Sequence, residues 1–259
     1  MRGRDVFGRQ AQIILEPTDK PGWFWNIDGK DIAITVDLLR YGHHHLFLKS
    51  GIHEMHVVEH LFPLRFIGLD SVRIYSNTHW LPYDGCTKMF WEAIADQLIP
   101  DGYLSPASQR WKGAVQSFTQ YGDFSPDPTK KRIVSICTQP GDICGFTIEL
   151  EYSQWGTHVW SDVLSQRILI DIMRSRPLGQ PNWLRPILRG LHWPHYNGVL
   201  WAQSEKNPGK VLEELARHRL LDFLGGIGIW LLPGTFLDGS ISSIRGNHKT
   251  DVELLQQIM

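Results

Sequence analysis

The sequence predicts an α+β protein built from two halves of similar order. Three observations lead to this prediction. Short segments with β-branched residues alternate with amphipathic helical segments. Strands precede a helix in residues 1–115, and the same order returns in residues 125–259. Between the halves, residues 102–129 are rich in Gly, Ser and Pro without a sustained period, which is typical of a domain boundary.

In the first half, strands are predicted at residues 11–17, 32–36 and 71–75. Residues 53–66 are predicted to form a helix that bends near Pro63, and residues 88–98 to form a second helix.

In the second half, strands are predicted at residues 132–137, 145–152 and 198–202, and again after the second helix. Helices are predicted over residues 161–173, over residues 211–224 and from Asp251 onward. A stretch rich in Pro and Trp, residues 176–196, follows the first of these helices.

Composition limits the class of protein. The formal net charge of -1 gives no electrostatic basis for binding nucleic acid or an anionic membrane. The three cysteines form no C-x-x-C pair, which argues against a secreted disulfide framework. No apolar run near the N-terminus resembles a signal peptide, and residues 227–232, the longest apolar run, are too short to span a membrane. We therefore expect a soluble, cytoplasmic protein. The eleven tryptophans either fill cores or line a groove for an apolar or sugar ligand.

The segment G-K-V-L-E-E-L-A-R-H-R-L-L-D-F-L-G-G, residues 209–226, is mostly apolar around its circumference and predicts a buried helix. His218 and Asp222 are four residues apart and therefore share one face of it. A buried carboxylate needs a partner. Two interpretations remain open: a zinc ion bound by both side chains, or an ion pair of Asp222 with His218 or Arg219.

A second cluster, H-E-M-H-V-V-E-H-L, occupies residues 53–61. His56, Glu59 and His60 fit H-x-x-E-H, the inverted zinc-protease motif. Alternatively, only Glu59 and His60 belong to a site whose other ligands come from elsewhere. The neighbouring H-H-H run cannot direct all its side chains at one ion. A third cluster, R-G-N-H-K-T-D, places His248 in a turn before the last helix, where it could act as an acid–base group.

Together these motifs resemble those of the UDP-3-O-acyl-N-acetylglucosamine deacetylase family, the zinc amidases of lipid A biosynthesis. V-V-E-H-L at 57–61 is similar to the family's T-V-E-H-L, and G-L-D-S-V-R-I-Y and P-Y-D-G-C follow it as in the family. R-H-R-L-L-D-F-L-G-G at 217–226 is similar to R-H-K-x-x-D-x-x-G-D, and R-G-N-H at 245–248 to K-S-G-H. Order and spacing match across nearly the whole chain.

The resemblance implies two α/β sandwich domains with helices packed between two sheets and a metal in the cleft between the domains. It assigns Zn²⁺ to His60, His218 and Asp222, which removes His56 from the ligand set. Glu59 would be the general base, and His248 would stabilise charge or protonate the leaving amine.

The resemblance also makes Arg219 a catalytic residue in place of the family's lysine, and Arg167 a substrate-binding residue. The implied substrate is a UDP-amino-sugar with an acyl chain, whose passage residues 176–196 would shape. We expect a monomer with transient proximity to a membrane.

The chain departs from the family pattern at several positions. Ile168 stands where the family has a threonine, Gly226 where it has the aspartate that orients the catalytic histidine, and D-V-F-G lacks the family's N-terminal histidine. These departures favour an alternative hypothesis: a non-catalytic homologue that keeps the fold and binds a nucleotide sugar, a lipid or a protein.

Overall fold

The computed structural model describes residues 1–42, 44–82, 87–98, 119–123, 132–138, 144–178, 187, 189–190, 200, 207–232 and 237–258. Within them it has the α+β class that the sequence predicts, with three β-sheets and helices between strands. Most of the predicted boundary at 102–129, most of the stretch 176–196 and the predicted strand at 198–202, apart from Leu200, lie outside the described residues.

The strands are, in chain order, β1 (Arg2–Arg4), β2 (Gln10–Pro17), β3 (Gly22–Ile27), β4 (Lys30–Ala33), β5 (Leu39–Tyr41), β6 (Leu46–Ser50), β7 (His53–His56), β8 (Ser71–Ser76), β9 (Thr119–Asp123), β10 (Arg132–Thr138), β11 (Cys144–Tyr152), β12 (Gly156–Val163) and β13 (Gly239–Ile244). The described α-helices with residue bounds are α1 (Lys88–Leu98), α2 (Gln166–Ile172), α3 (Pro208–Trp230) and α4 (His248–Gln257).

Two of the sheets have five strands each and share one topology. The first has the order β1-β2-β8-β3-β4, and β8 enters between β2 and β3, antiparallel to β2 and parallel to β3. The second has the order β9-β10-β13-β11-β12, and β13 enters between β10 and β11 with the same two directions. In each sheet the strand that comes last in the chain is therefore the central one.

The predicted helix over residues 53–66 is wrong. Residues His53–His56 are strand β7, which pairs with β6 in a small third sheet. Val57 then adopts a left-handed conformation with φ 68°, and two short 3-10 turns, Val58–His60 and Phe62–Ile67, follow. The valines and Pro63 are poor helix formers, and pairing with β6 supplies the hydrogen bonds that a helix would have made. The H-x-x-E-H spacing therefore does not lie on a helix.

Helix α3 is the centre of the protein and confirms the helix predicted at 211–224. Asn207 caps its start, where its side chain accepts a hydrogen bond from the Gly209 amide at 2.9 Å, and Pro208 occupies the first turn. The helix continues through residues 225–230, where the sequence instead suggests a return to strands. Its apolar side chains belong to one continuous core that also receives side chains from both five-stranded sheets.

Glycines let α3 approach the 3-10 turns closely. A Cβ at Gly225 would lie 2.6 Å from the Glu59 Cα, and one at Gly228 would lie 2.5 Å from the Phe62 carbonyl oxygen. Neither distance is physically possible for a side chain without movement of the backbone. The helix and the turn that carries Glu59 therefore pack backbone to backbone.

Other element boundaries differ from the predicted ones. Helix α2 begins at Gln166, because β12 runs to Val163 and Ser165 caps the helix. Helix α4 begins at His248 rather than at Asp251, because Asn247 and Thr250 form a capping box. The predicted strand at 32–36 is strand only to Ala33. Among the described helices, none is both long and apolar enough to cross a membrane.

Candidate metal centre

His60 comes from the first 3-10 turn, immediately after the left-handed residue Val57. Its side chain is buried, and the Thr87 hydroxyl donates a hydrogen bond of 2.7 Å to its carbonyl oxygen. The turn that carries His60 is therefore held by the hydrogen bond from Thr87 and by its close contact with the glycines of α3.

His218 and Asp222 lie on successive turns of α3, and both are buried. The structure brings them together with His60, and the possible ligand atoms of the three residues all lie within 4.8 Å of one another. The fold therefore contains a buried His/His/Asp group that could hold a metal ion.

The distances within this group suit a metal better than hydrogen bonds. Oδ1 of Asp222 is 3.6 Å from Nε2 of His60 and 3.5 Å from Nε2 of His218. Both separations are too long for good hydrogen bonds, and Oδ1 is buried without a hydrogen-bond partner among the described residues. Ligands bound tetrahedrally at zinc distances of about 2.0–2.1 Å lie about 3.3 Å apart. The two separations from Asp222 are close to this value.

The tautomer of His218 also suits a metal ligand. Its Nδ1 lies 3.1 Å from the carbonyl oxygen of Ser175, and since a carbonyl only accepts, Nδ1 must carry the proton. In the neutral ring, Nε2 then has a free lone pair on the side of Asp222. Metal-binding histidines commonly make such a bond through their other ring nitrogen.

The pKa shifts of Asp222 and His218 favour the protonation states in which these side chains can bind a metal. Burial alone would raise the pKa of Asp222, but His218, His248 and His60 outweigh burial and hold that pKa well below its usual range. Burial lowers the pKa of His218, against the opposing effect of Asp222. The combination favours an ionised carboxylate beside a neutral imidazole, which are the protonation states that bind a metal.

Glu59 precedes His60 and is buried as well. Its Oε2 accepts a hydrogen bond of 2.9 Å from the backbone amide of Leu46, at the start of β6. Burial raises its pKa, with smaller opposing effects of His60 and His248. A buried carboxyl group with a raised pKa beside a possible metal site is typical of a general base.

His248 occupies the first position of α4, and its Nε2 lies 3.8 Å from Oδ2 of Asp222. Its Nδ1 is buried and has no hydrogen-bond partner among the described residues. A Cβ at Gly226 would lie 3.0 Å from Leu255 Cδ1 and 3.7 Å from Leu46 Cδ1. Two leucines therefore crowd the space that a carboxylate at position 226 would need.

Arg219 is engaged within the fold. Its guanidinium donates to both carboxylate oxygens of Asp251, at 2.7 and 2.5 Å, and to the Ser243 hydroxyl at 2.9 Å. Burial would lower its pKa, but Asp251 outweighs this effect and raises it. These bonds tie α3 to α4 and β13. The catalytic role of Arg219 stays a prediction, as does the substrate-binding role of Arg167, which is exposed in the first turn of α2.

Several groups that shape the centre have no signature in the sequence. The Ser175 carbonyl and the Leu46 amide are backbone atoms, which every residue possesses. Asp251 could have been suspected as a buried carboxylate in the first turn of α4. Residues 83–86, which carry most of the P-Y-D-G-C motif, lie outside the described residues. Comparisons with models of protein families and with curated proteins give no match.

Proposed function

We propose that this protein is a zinc-dependent deacetylase that hydrolyses the N-acetyl amide of a UDP-3-O-acyl-N-acetylglucosamine-like substrate in lipid A biosynthesis. One observation supports the proposal above all others: His60, His218 and Asp222 converge, with one possible ligand atom of each within 4.8 Å of the others, and the residue before His60 is the buried Glu59. The sequence resemblance supplies the substrate, and the geometry supports a hydrolytic site.

Zinc is the metal that fits this donor set best, because two imidazoles and a carboxylate are usual in catalytic zinc sites. Three protein ligands leave one coordination position for water or substrate. Zinc bound there would polarise the amide carbonyl and lower the pKa of water to near neutral.

The residues around the metal would divide the proton transfers between them. Glu59 accepts the proton of the attacking water, because burial raises its pKa and so makes it a stronger base than an ordinary carboxylate. His248, at the rim of the group and 3.8 Å from Asp222, protonates the leaving amine or stabilises negative charge on the carbonyl oxygen. The products are acetate and a free amino sugar.

The two halves of the chain form two related domains in this proposal, residues 1–115 and 125–259, with the metal between them. The shared topology of the two five-stranded sheets supports this duplication. The ligands also come from corresponding places, because His60 lies before β8 and His218 and Asp222 lie before β13, the central strand of each sheet.

The remaining parts of the proposal concern the substrate and the setting. Arg167 contacts the substrate, and residues 176–196 line the passage of the acyl chain. The protein acts as a cytoplasmic monomer that approaches a membrane only transiently and binds no nucleic acid.

The proposal is tested with purified protein, by metal analysis and by mass spectrometry of acetate release from the acylated UDP-N-acetylglucosamine. We expect about one zinc per chain, together with hydrolysis that Glu59→Gln lowers at least about 100-fold. Glu92→Gln is the matched control, since Glu92 is an exposed carboxylate that pairs with Lys88 on α1. Hydrolysis that survives in Glu59→Gln would refute the mechanism, whatever the substrate.

A second candidate function is a non-catalytic homologue that keeps the metal and binds a nucleotide sugar, a lipid or a protein. It is favoured by His248, whose Nδ1 lacks a partner among the described residues, and by Arg219, whose guanidinium is already bound by Asp251 and Ser243. Calorimetry that shows zinc and UDP-sugar binding, in a protein that releases no acetate, would establish this alternative.

A further inference from the structure

A chain of three hydrogen-bonded side chains lies on the β6–β7 hairpin, outside the possible metal ligands. His45 Nε2 is 2.8 Å from His56 Nδ1, and His56 Nε2 is 3.1 Å from Oε2 of Glu54. Lys49 binds the other carboxylate oxygen of Glu54 at 2.8 Å. The proposed function uses none of these residues.

The chemistry of these side chains determines which atom donates in each of the two hydrogen bonds. A carboxylate only accepts hydrogen bonds, so His56 must donate from Nε2 to Glu54. In a neutral His56, Nδ1 then accepts, and His45 must donate to it from Nε2. Both imidazoles are therefore expected as neutral rings with the proton on Nε2. Burial, followed by His56, lowers the pKa of His45 to about 4, so this arrangement persists near neutral pH.

Aromatic packing holds both rings in place. The His56 ring stacks on Trp80 at 4.3 Å and 8° and on Phe47 at 4.9 Å and 22°. The His45 ring lies over Gly42, where a Cβ would come within 2.6 Å of its Cε1. The rings therefore have little freedom to rotate out of the chain.

These hydrogen-bonded side chains adjoin the peptide group whose amide binds Glu59. Leu46 follows His45, and its amide donates the 2.9 Å hydrogen bond to Oε2 of Glu59. The Leu46 carbonyl accepts a 2.9 Å bond from the amide of Val57. A displacement of His45 would therefore move the donor that orients the proposed base.

We propose that His45, His56 and Glu54 are positioning residues that hold the Leu46 amide against Glu59. The catalytic consequence rests on the proposed function, whereas the structural linkage does not. The other titratable groups that act on the chain are His79 on the side of His56, and His44 and His248 on the side of His45.

The first test uses the unaltered protein, because long-range ¹H–¹⁵N NMR spectra distinguish histidine tautomers. We expect His45 and His56 each to carry a fixed proton on Nε2 near neutral pH. Rapid exchange between tautomers in either ring, or a fixed proton on Nδ1 of His56, would overturn the proposal.

The second test uses His56→Phe, which keeps an aromatic ring between Trp80 and Phe47 but removes both hydrogen bonds. We expect the Leu46 amide to exchange with solvent at least about tenfold faster. The value of kcat should fall about tenfold, with KM and zinc content unchanged, because the base is no longer held in place. The control is His53→Phe, the same substitution on the same strand, and it should change each quantity less than about twofold. His56→Gln, which can still donate to Glu54, should recover part of the loss.

The outcomes separate the two proposals. Unchanged Leu46 exchange in His56→Phe would overturn the linkage, and faster exchange with unchanged kcat would overturn its role in hydrolysis. If the unaltered protein releases no acetate, the proposed function fails by itself, while the tautomers and the Leu46 exchange still decide whether the chain positions the Glu59 carboxylate.

Discussion

Two buried charged groups lie within one turn of α3, and they differ in how completely the protein provides them with hydrogen-bond partners. Arg219 has a complete set of partners, with both Asp251 oxygens and the Ser243 hydroxyl bound to its guanidinium. Asp222 has an oxygen that is buried without a hydrogen-bond partner among the described residues and lies 3.5–3.6 Å from two imidazoles. The same helix therefore carries one ionic group whose partners are all protein atoms and one that belongs to a group that could hold a metal ion.

The difference has an energetic meaning. An uncompensated buried charge costs several kcal/mol, so a fold keeps one only where a partner is supplied. For Arg219 the partner is Asp251, and the pair joins α3 to α4. For Asp222 the nearest groups are histidines at distances typical of ligands around one ion. We infer that Arg219 stabilises the protein through contacts within the fold, whereas the contribution of Asp222 to stability depends on what binds. The catalytic role of Arg219 stays a prediction.

Removal of a metal ligand should have the largest effect. His218→Ala should lower the zinc content from about one per chain to none, because two remaining ligands bind zinc weakly. Chelation of the unaltered protein should lower its stability by about 4 kcal/mol if zinc is present at a thousand times its Kd. Metal analysis and thermal unfolding measure both effects. His158→Ala, on β12, is the control. Equal zinc content in both variants would contradict the assignment of His218 as a metal ligand.

Disruption of the Arg219 pair should affect folding without affecting the metal. Arg219→Met leaves Asp251 buried and unpaired, which should lower the free energy of unfolding by about 3–5 kcal/mol. The double variant Arg219→Met/Asp251→Leu should recover much of this loss, since neither charge then remains. Urea unfolding measures the stability. Loss of zinc from folded Arg219→Met protein would show that the two groups are not separate.

Two adjacent glycines give a smaller but sharper comparison of what α3 contacts. Gly225→Ala places a methyl group on the backbone of Glu59, so it should destabilise the protein by about 1–3 kcal/mol. Gly226→Ala meets only the movable ends of Leu255 and Leu46, and the gain in helix propensity of up to about 1 kcal/mol should offset that contact. Unfolding curves of both variants measure the difference. Equal stabilities would contradict the backbone contact at Gly225.

The sequence predicts α3 well because the pattern that indicates a buried helix lies within the helix itself. An apolar circumference, the N-terminal glutamates and the spacing of His218 and Asp222 are all local properties. The helix predicted at residues 53–66 fails for the opposite reason. Whether His53–His56 form a strand depends on β6, and the left-handed Val57 likewise bonds through its amide to the Leu46 carbonyl of that strand. Such contacts are not visible in a window of sequence.

The candidate site likewise contains residues that the sequence predicts and groups that only the structure identifies. His60, His218, Asp222 and Glu59 belong to motifs, and the structure brings the three possible ligands together. The groups that orient them are the Ser175 carbonyl, the Leu46 amide and the Thr87 hydroxyl. Two of these are backbone atoms, and all three come from other elements of the fold. Only the tertiary structure identifies them.

The left-handed conformation of Val57 has a consequence for how this site could change. A β-branched residue with φ 68° stores strain, typically about 1–3 kcal/mol, that glycine would not. Glycine would in turn add about 0.5–1 kcal/mol of entropy to be lost on folding. Val57→Gly would relieve this strain but would also remove a side chain that is only 3% exposed, which costs about 1.5–3 kcal/mol of burial, so it should lower stability and widen the range of positions open to Glu59 and His60. At this residue the burial of the valine side chain offsets a strained backbone conformation, and the same side chain narrows the range of positions open to Glu59 and His60.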